Sequence, residues 1–254
     1  MSTIKIDYSD YFFVSDMGIT LLSQIKNQLN NQGFVIISGF EKKIEILFKL
    51  APFLTCKIYE SERLGSFHAF EVDPFSTELS ETINSGGFHT DFSTSLIPPK
   101  FVAIQCICTD VRHPFYGRNQ IVSYSSIKQR FFEIYSDYDA NFFDQIYIQH
   151  NYGVSKKIVK FLSYNQSHEI LKYHSKLLDH DINEIKIDDV YVSNIINAIA
   201  TEMCYDFVLN EGDILLFNNW NTLHKRGECT TTYKNNHWGG RFINSVRYQA
   251  IPPV

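Results

Sequence analysis

The 254-residue sequence predicts a mainly β fold with flanking helices, of the β-sandwich or jelly-roll kind rather than an alternating βαβ sheet. Three observations carry this reading. Beyond His89 the chain falls into short apolar or alternating runs, the pattern of half-buried and buried strands. The turns between those runs are short. A segment at about residues 155–205 reads as helical and interrupts the strands as an insert.

The elements follow in order. Thr20 to Asn31 (TLLSQIKNQLNN) has Leu21, Leu22, Ile25 and Leu29 on one stripe, with Thr20 as a cap and Gly33 just past the end. GFVIISGF is a short buried strand. The aromatic-rich SERLGSFHAFEVDPF (61–75) reads as a lid. Strands follow at KFVAIQCICTDV (100–111), NQIVSYS (119–125) and FDQIYIQHNYG (143–153), with a helix from Ser126 to Tyr135 between the last two. In the helical insert, Asp188 or Asp189 can cap VYVSNIINAIATEM. Strands return in DFVLNEGDILLFNN and RFINSVRYQAI.

Composition bounds the function. Hydrophobic residues make up 44% and charged residues 20%, a balance able to bury one large domain spanning 1–254. The net charge of −5 comes without any Lys/Arg run, which argues against a nucleic-acid partner. The start MSTIKIDYSDYFFVSD lacks the order of an export signal, and no apolar run approaches a membrane span, so a cytoplasmic protein is expected. Five cysteines, an odd number without a CxxC pair, fit a reducing compartment better than a disulfide scaffold. Cys106 and Cys108 alternate along one strand and are expected to be buried on the same side.

Chemistry is concentrated in two motifs. In GGFHTDFST, residues two apart on a strand point the same way, so His89 and Asp91 converge on one point. Nine histidines and 28 acids predict about one chance His-x-acid in such a chain, so the motif alone is weak. The eight other histidines have no acid two residues on. The second motif is LNEGDILLFNNWNTLHKRGE. A Gly-Asp turn feeds the inward strand Ile214 to Phe217, which carries the chain to His224, with Arg226 on the same side. Two histidines and one carboxylate make a facial triad that leaves three positions open on iron(II).

QGFVIISGF, FHTDFS, the Pro98-Pro99 pair, NEGDILLFNNWNTLHKR and GGRFINSVRYQ together resemble the taurine dioxygenase / clavaminate synthase-like superfamily, in that family's order. The resemblance implies a double-stranded β-helix core with helices outside it. It implies metal ligands His89, Asp91 and His224, with Fe(II), 2-oxoglutarate and O2 as reactants. It places a co-substrate arginine on the last core strand, where Arg241 and Arg247 share parity. Arg241 is the first choice, although it lies 17 residues after His224 and Arg247 six beyond it, a departure from the family's spacing. Arg247 is the substitute, or a partner for a substrate carboxylate. Gly117-Arg118-Asn119 stands where the family often has Gly-Asp-Thr, so Asn119 replaces the threonine at the co-substrate. The carboxylate ligand argues against halogenation, leaving hydroxylation as the default outcome. Arg226, Arg247 and the 61–75 segment suggest a small polar substrate bearing an anion, with an amino acid first. His68 either touches that substrate or lies on the surface. Three rivals stand beside this reading: an iron oxidase that does not use 2-oxoglutarate, a non-catalytic metal-binding jelly roll, and a hydrolase. The last has no G-x-S-x-G motif to support it.

Overall fold

The computed structural model describes residues 4–5, 16–139, 141–152, 155–166, 168–181, 185–234 and 237–251. The opening stretch read as free of an export signal lies largely outside these residues, as does Gly153. No described helix is long and apolar enough to cross a membrane.

The chain begins with β1 (Ile4–Lys5), α1 (Asp16–Gln32), β2 (Phe34–Ser38), α2 (Ile44–Phe53), β3 (Cys56–Ile58) and β4 (Phe67–Glu71). α1 starts four residues earlier than expected, so Thr20 lies inside it and not at its start. It stops where the sequence says: Gly33 takes φ +81 and its N–H returns to Leu29 O at 3.0 Å. A Cβ there would come within 2.6 Å of Thr222 Cγ2, so glycine also lets the two segments close up. α2 carries no sequence signal of its ends, because Lys43 offers no side-chain cap and Pro52 sits in its last turn. β4 lies within the segment expected to be a lid, and it is a sheet strand instead.

Next come β5 (Phe101–Cys108), β6 (Asn119–Ser123) and α3 (Tyr124–Ile134), capped by Ser123 Oγ accepting from Ser126 N at 3.1 Å. A 3-10 turn at Phe142–Gln145 leads into β7 (Tyr147–Tyr152), β8 (Ser155–Lys160), β9 (Leu162–Asn165), β10 (His168–Leu171), β11 (Leu178–Asp181), β12 (Lys186–Ile187) and β13 (Val190–Tyr191). Only then does α4 (Val192–Met203) form. The expected helical insert at 155–205 is therefore corrected: most of it is hairpins, and only its last quarter is helix. Its runs are too short for a helical stripe, and Val159 and Leu162 are buried within paired strands. Asp188 and Asp189, at φ +49 and +63, form the two-residue turn between β12 and β13 instead of capping α4.

The chain closes with β14 (Tyr205–Phe207), β15 (Ile214–Asn218), β16 (Thr222–Arg226), β17 (Thr231–Lys234), β18 (His237–Gly240) and β19 (Phe242–Ala250). The main sheet runs β1-β2-β15-β5-β19-β3, with β4 also paired to β19. A smaller antiparallel sheet, β14-β6-β16, faces it, and Ile121 of β6 packs with Phe34, Val102 and Phe217 of the main sheet. On the outer face of the main sheet, α1 and α2 bury Ile25, Leu47 and Leu50 against Val35, Leu216 and Tyr248. Central strands covered on both faces explain the unbroken apolar runs VII and ILLF. The inserted hairpins, α3 and α4 share a third, aromatic core around Phe131, Phe143 and Phe161. The chain is thus mainly β with flanking helices.

All five cysteines are free thiols. Cys106 is buried, but Cys108 is exposed, against expectation. The register between β5 and β19 shifts at Phe242/Ile243, which pair with Cys108 and Cys106, and this irregularity breaks the alternation at the strand end.

Candidate active site

His89 does not lie on a regular strand. It makes a single antiparallel bridge to His224 on one side and to His174 on the other. His89 N donates to His224 O and His224 N to His89 O, both at 3.0 Å. Thr90 N donates to Tyr173 O and Ser175 N to Phe88 O, both at 2.9 Å. A Cβ at Gly87 would run into Ser175 Oγ and the Lys176 side chain, so the glycine lets these segments lie together. His224 sits mid-strand in β16, opposite Ile121 of β6, and not at the end of β15 as the sequence suggests. β15 stops at Asn218, and the intervening turn supplies a residue the sequence reading overlooks. The buried Asn219 accepts from Asp91 N at 2.7 Å and donates to Asp91 O and Pro99 O, each at 3.0 Å. That clamp holds Asp91 at a turn whose next residue, Phe92, has φ +56. Convergence of His89 and Asp91 is thus achieved by a bridge and a clamped turn, not by strand alternation.

One ligand atom from each of His89, Asp91 and His224 lies within 4.8 Å of the others. Asp91 Oδ1 is 3.7 Å from His89 Nε2 and 3.5 Å from His224 Nε2. His89 Nδ1 is 2.8 Å from Gly87 O, which fixes the proton there and turns the Nε2 lone pair toward the centre. Asp91 Oδ2 accepts from Arg247 Nε at 3.1 Å, leaving Oδ1 as the oxygen turned toward the two imidazoles. Burial alone would raise the Asp91 pKa, but Arg247, His224 and His89 outweigh it and hold the group at about 2. Burial, reinforced by His89, pushes His224 down to about 3. An ionised carboxylate beside a neutral imidazole is the state a divalent iron needs.

These groups open on a cavity of about 620 Å³. Alternate residues before and along β19, namely Arg241, Ile243, Ser245 and Arg247, line one wall, while Val246 and Tyr248 turn to the outer core. Both arginines therefore face inward, as their parity predicts. Their partners differ. Arg241 Nη2 donates to Asn119 Oδ1 at 3.0 Å, and among the described residues Arg241 forms no ion pair. Asn119 Nδ2 is sealed from solvent with no hydrogen-bond partner among the described residues. A buried guanidinium beside an unsatisfied amide N–H fits the far carboxylate of 2-oxoglutarate, which needs a cation and further donors. Gly117, at φ +68, gives Arg241 its passage, since a Cβ there would lie 3.1 Å from Arg241 Cδ.

The two arginines expected at the substrate both line this cavity, and each is also bonded to the protein. Arg247 pairs through Nε with Asp91 and lies over the Phe92 ring at 5.2 Å, so it orients the Asp91 carboxylate. Arg226 touches the cavity wall, but its Nη2 donates to Leu79 O (3.3 Å), Thr82 O (2.6 Å) and Asn84 O (3.0 Å). Its guanidinium is thus engaged in fastening a loop. His68, on β4, lines the cavity 3.6 Å from Glu81, and burial together with Arg247 keeps its pKa below the ordinary value.

Solved structures share this fold at low sequence identity. Asparagine oxygenase in complex with Fe(II), 2S,3S-3-hydroxyasparagine and succinate aligns with a TM-score of 0.70 at 11% identity, over 91% of this chain and 80% of that one. A taurine dioxygenase from Burkholderia xenovorans aligns at 0.64 and 14%, over 97% and 87%. The non-heme iron oxygenase OrfP in complex with Fe, succinate and (3S)-hydroxy-L-Arg aligns at 0.62 and 9%, over 92% and 80%. Comparison with curated proteins finds no significant sequence match. The pattern of the family described as "Taurine catabolism dioxygenase TauD, TfdA family" matches residues 10–239. This chain belongs to that family, and with it to the non-haem Fe(II)- and 2-oxoglutarate-dependent dioxygenases.

Proposed function

We propose that this protein hydroxylates a small polar substrate of the amino-acid type, with His89, Asp91 and His224 holding iron(II) and Arg241 and Asn119 holding 2-oxoglutarate. One observation carries the reading. Three ligand atoms meet at the wall of a cavity that also contains a buried arginine with no ion pair among the described residues. Bound iron with 2-oxoglutarate and O2 supplies an oxidative decarboxylation that yields succinate and carbon dioxide and inserts one oxygen atom into a C–H bond.

The chain's own residues supply position and dryness. Arg247 keeps Asp91 ionised and occupies Oδ2, so that the carboxylate would offer one oxygen to the iron beside the two imidazoles. The Arg241–Asn119 pair sets the direction from which the co-substrate chelates. The aromatic and aliphatic walls, Phe70, Phe92 and Ile243 among them, exclude water from the reacting centre. The two facing sheets form the double-stranded β-helix of the family, within a single domain that acts in the cytoplasm. An amino-acid substrate is favoured by the polar cavity mouth, where Arg63, His68, Glu78 and Glu81 mix both charges, and by the amino-acid products in the asparagine oxygenase and OrfP structures.

The test is aerobic incubation of the iron-loaded protein with 2-oxoglutarate and each common L-amino acid. One member of the panel should stimulate succinate formation and gain one oxygen atom in its mass. Absence of succinate throughout, with iron shown to be bound, would point to the oxidase that does not use 2-oxoglutarate.

A further inference from the structure

We infer that His174 is a positioning residue of the metal centre: it fixes the plane of the His89 ring and offers Nε2 to an oxygen of the co-substrate. This rests on the Fe(II)/2-oxoglutarate reading above and assigns the inserted hairpins a part in it.

The backbone dictates the arrangement. His174, His89 and His224 are adjacent bridge partners on three antiparallel segments, so their side chains leave the same face. The His174 and His89 rings stack, with centroids 4.8 Å apart and planes 28° apart, and His224 closes on His89 from the other side at 4.1 Å. Behind His174 lies the buried His150, edge-on at 6.4 Å, whose Nδ1 is 3.3 Å from Ser93 Oγ, two residues past Asp91. His174 is therefore wedged between a metal-ligand ring and a buried wall.

The two nitrogens of His174 have different fates. Nδ1 is sealed from solvent and has no hydrogen-bond partner among the described residues. Nε2 is the ring atom left to the cavity, which His174 lines. With the proton on Nε2, only a lone pair is stranded at Nδ1, and a donor points into the cavity. A chelating carboxylate is acceptor-only and matches that donor. Stacking alone would be served by phenylalanine without a stranded polar atom, so the imidazole is best explained by Nε2.

The test compares wild type with His174→Phe, which keeps the stack and removes the donor, and His174→Gln, which restores a donor from the same place. Each is titrated anaerobically, first with Fe(II) alone and then with 2-oxoglutarate, following the visible charge-transfer band. Circular dichroism and Fe(II) binding establish that each variant is folded and loaded. His174→Phe should bind Fe(II) like the wild type, weaken 2-oxoglutarate by about tenfold or more and move the band. His174→Gln should recover part of both. An unchanged band and affinity in His174→Phe overturns the inference alone, with the co-substrate reading intact. No band in the wild type overturns that reading and the inference with it.

Discussion

Replacing Arg241 with methionine should move ligand affinity and stability in opposite directions. In the ligand-free protein Arg241 is a buried cation whose one hydrogen bond among the described residues goes to Asn119 Oδ1 at 3.0 Å. Burial disfavours its charge, depressing its pKa. Exchanging a buried charge for an apolar side chain of similar length typically gains 1–4 kcal/mol, and the lost Asn119 bond returns about 1 kcal/mol of that. The ligand-free variant should therefore be up to about 3 kcal/mol more stable, at about 2–4 °C in Tm per kcal/mol for a chain of this size. The 2-oxoglutarate complex loses a buried, charge-assisted contact worth about 3–5 kcal/mol, which is a fall of about 10²-fold or more in affinity. Thermal melts with and without 2-oxoglutarate, and calorimetric titration of the metal-loaded protein, read both effects. Arg241→Met with wild-type affinity, alongside Arg247→Met with none, would refute the assignment and transfer the role to Arg247.

Three further outcomes follow from the geometry. Asn219→Ala removes three hydrogen bonds from a fully buried clamp, and should cost about 2–4 kcal/mol in urea denaturation together with about 10-fold to 100-fold in Fe(II) affinity; wild-type Fe(II) affinity would mean Asp91 holds its place without help. Arg226→Ala releases the carbonyls of Leu79, Thr82 and Asn84, so amide exchange across 79–86 should accelerate while Fe(II) and 2-oxoglutarate binding stay constant. Unchanged exchange would count against the loop-fastening role. His150, His174 and His224 are held neutral chiefly by burial, at about 4, 2 and 3 against an ordinary 6.5. The unfolded chain gains protons below 6.5 while the folded one does not, so metal-free stability must fall with pH from there toward the folded values. The slope gives about 2 kcal/mol per imidazole between pH 6.5 and 5, and coincident urea midpoints at pH 7 and 5 would contradict the burial.

What the sequence disclosed depended on how local the determining physics is. His89, Asp91 and His224 were legible because a ligand triad is defined by residue types and order, although the local structure supporting each differs from a simple strand reading. Arg241 and Asn119 were legible as a pair from the last strand and the Gly-Arg-Asn turn, and they meet at 3.0 Å. The loop contacts of Arg226 were not legible, because nothing in its own neighbourhood reveals that the carbonyls of a loop some 140 residues earlier in sequence surround it. Asn219 and His174 were missed for the same reason, since their partners come from across sequence gaps that no periodicity reports. The insert was misread because short runs of mixed polarity suit a helix or a hairpin equally until strand partners appear. Cys108 shows how one register shift undoes an alternation argument.

The central claim, one iron centre with its co-substrate anchored on Arg241, is tested most directly by crystals grown anaerobically with Fe(II) and 2-oxoglutarate. Iron-edge anomalous scattering should give a peak within bonding distance of His89 Nε2, Asp91 Oδ1 and His224 Nε2. The far carboxylate of 2-oxoglutarate should lie on Arg241 and Asn119 Nδ2. A peak away from these three atoms, or a co-substrate carboxylate seated on Arg247, would contradict the account.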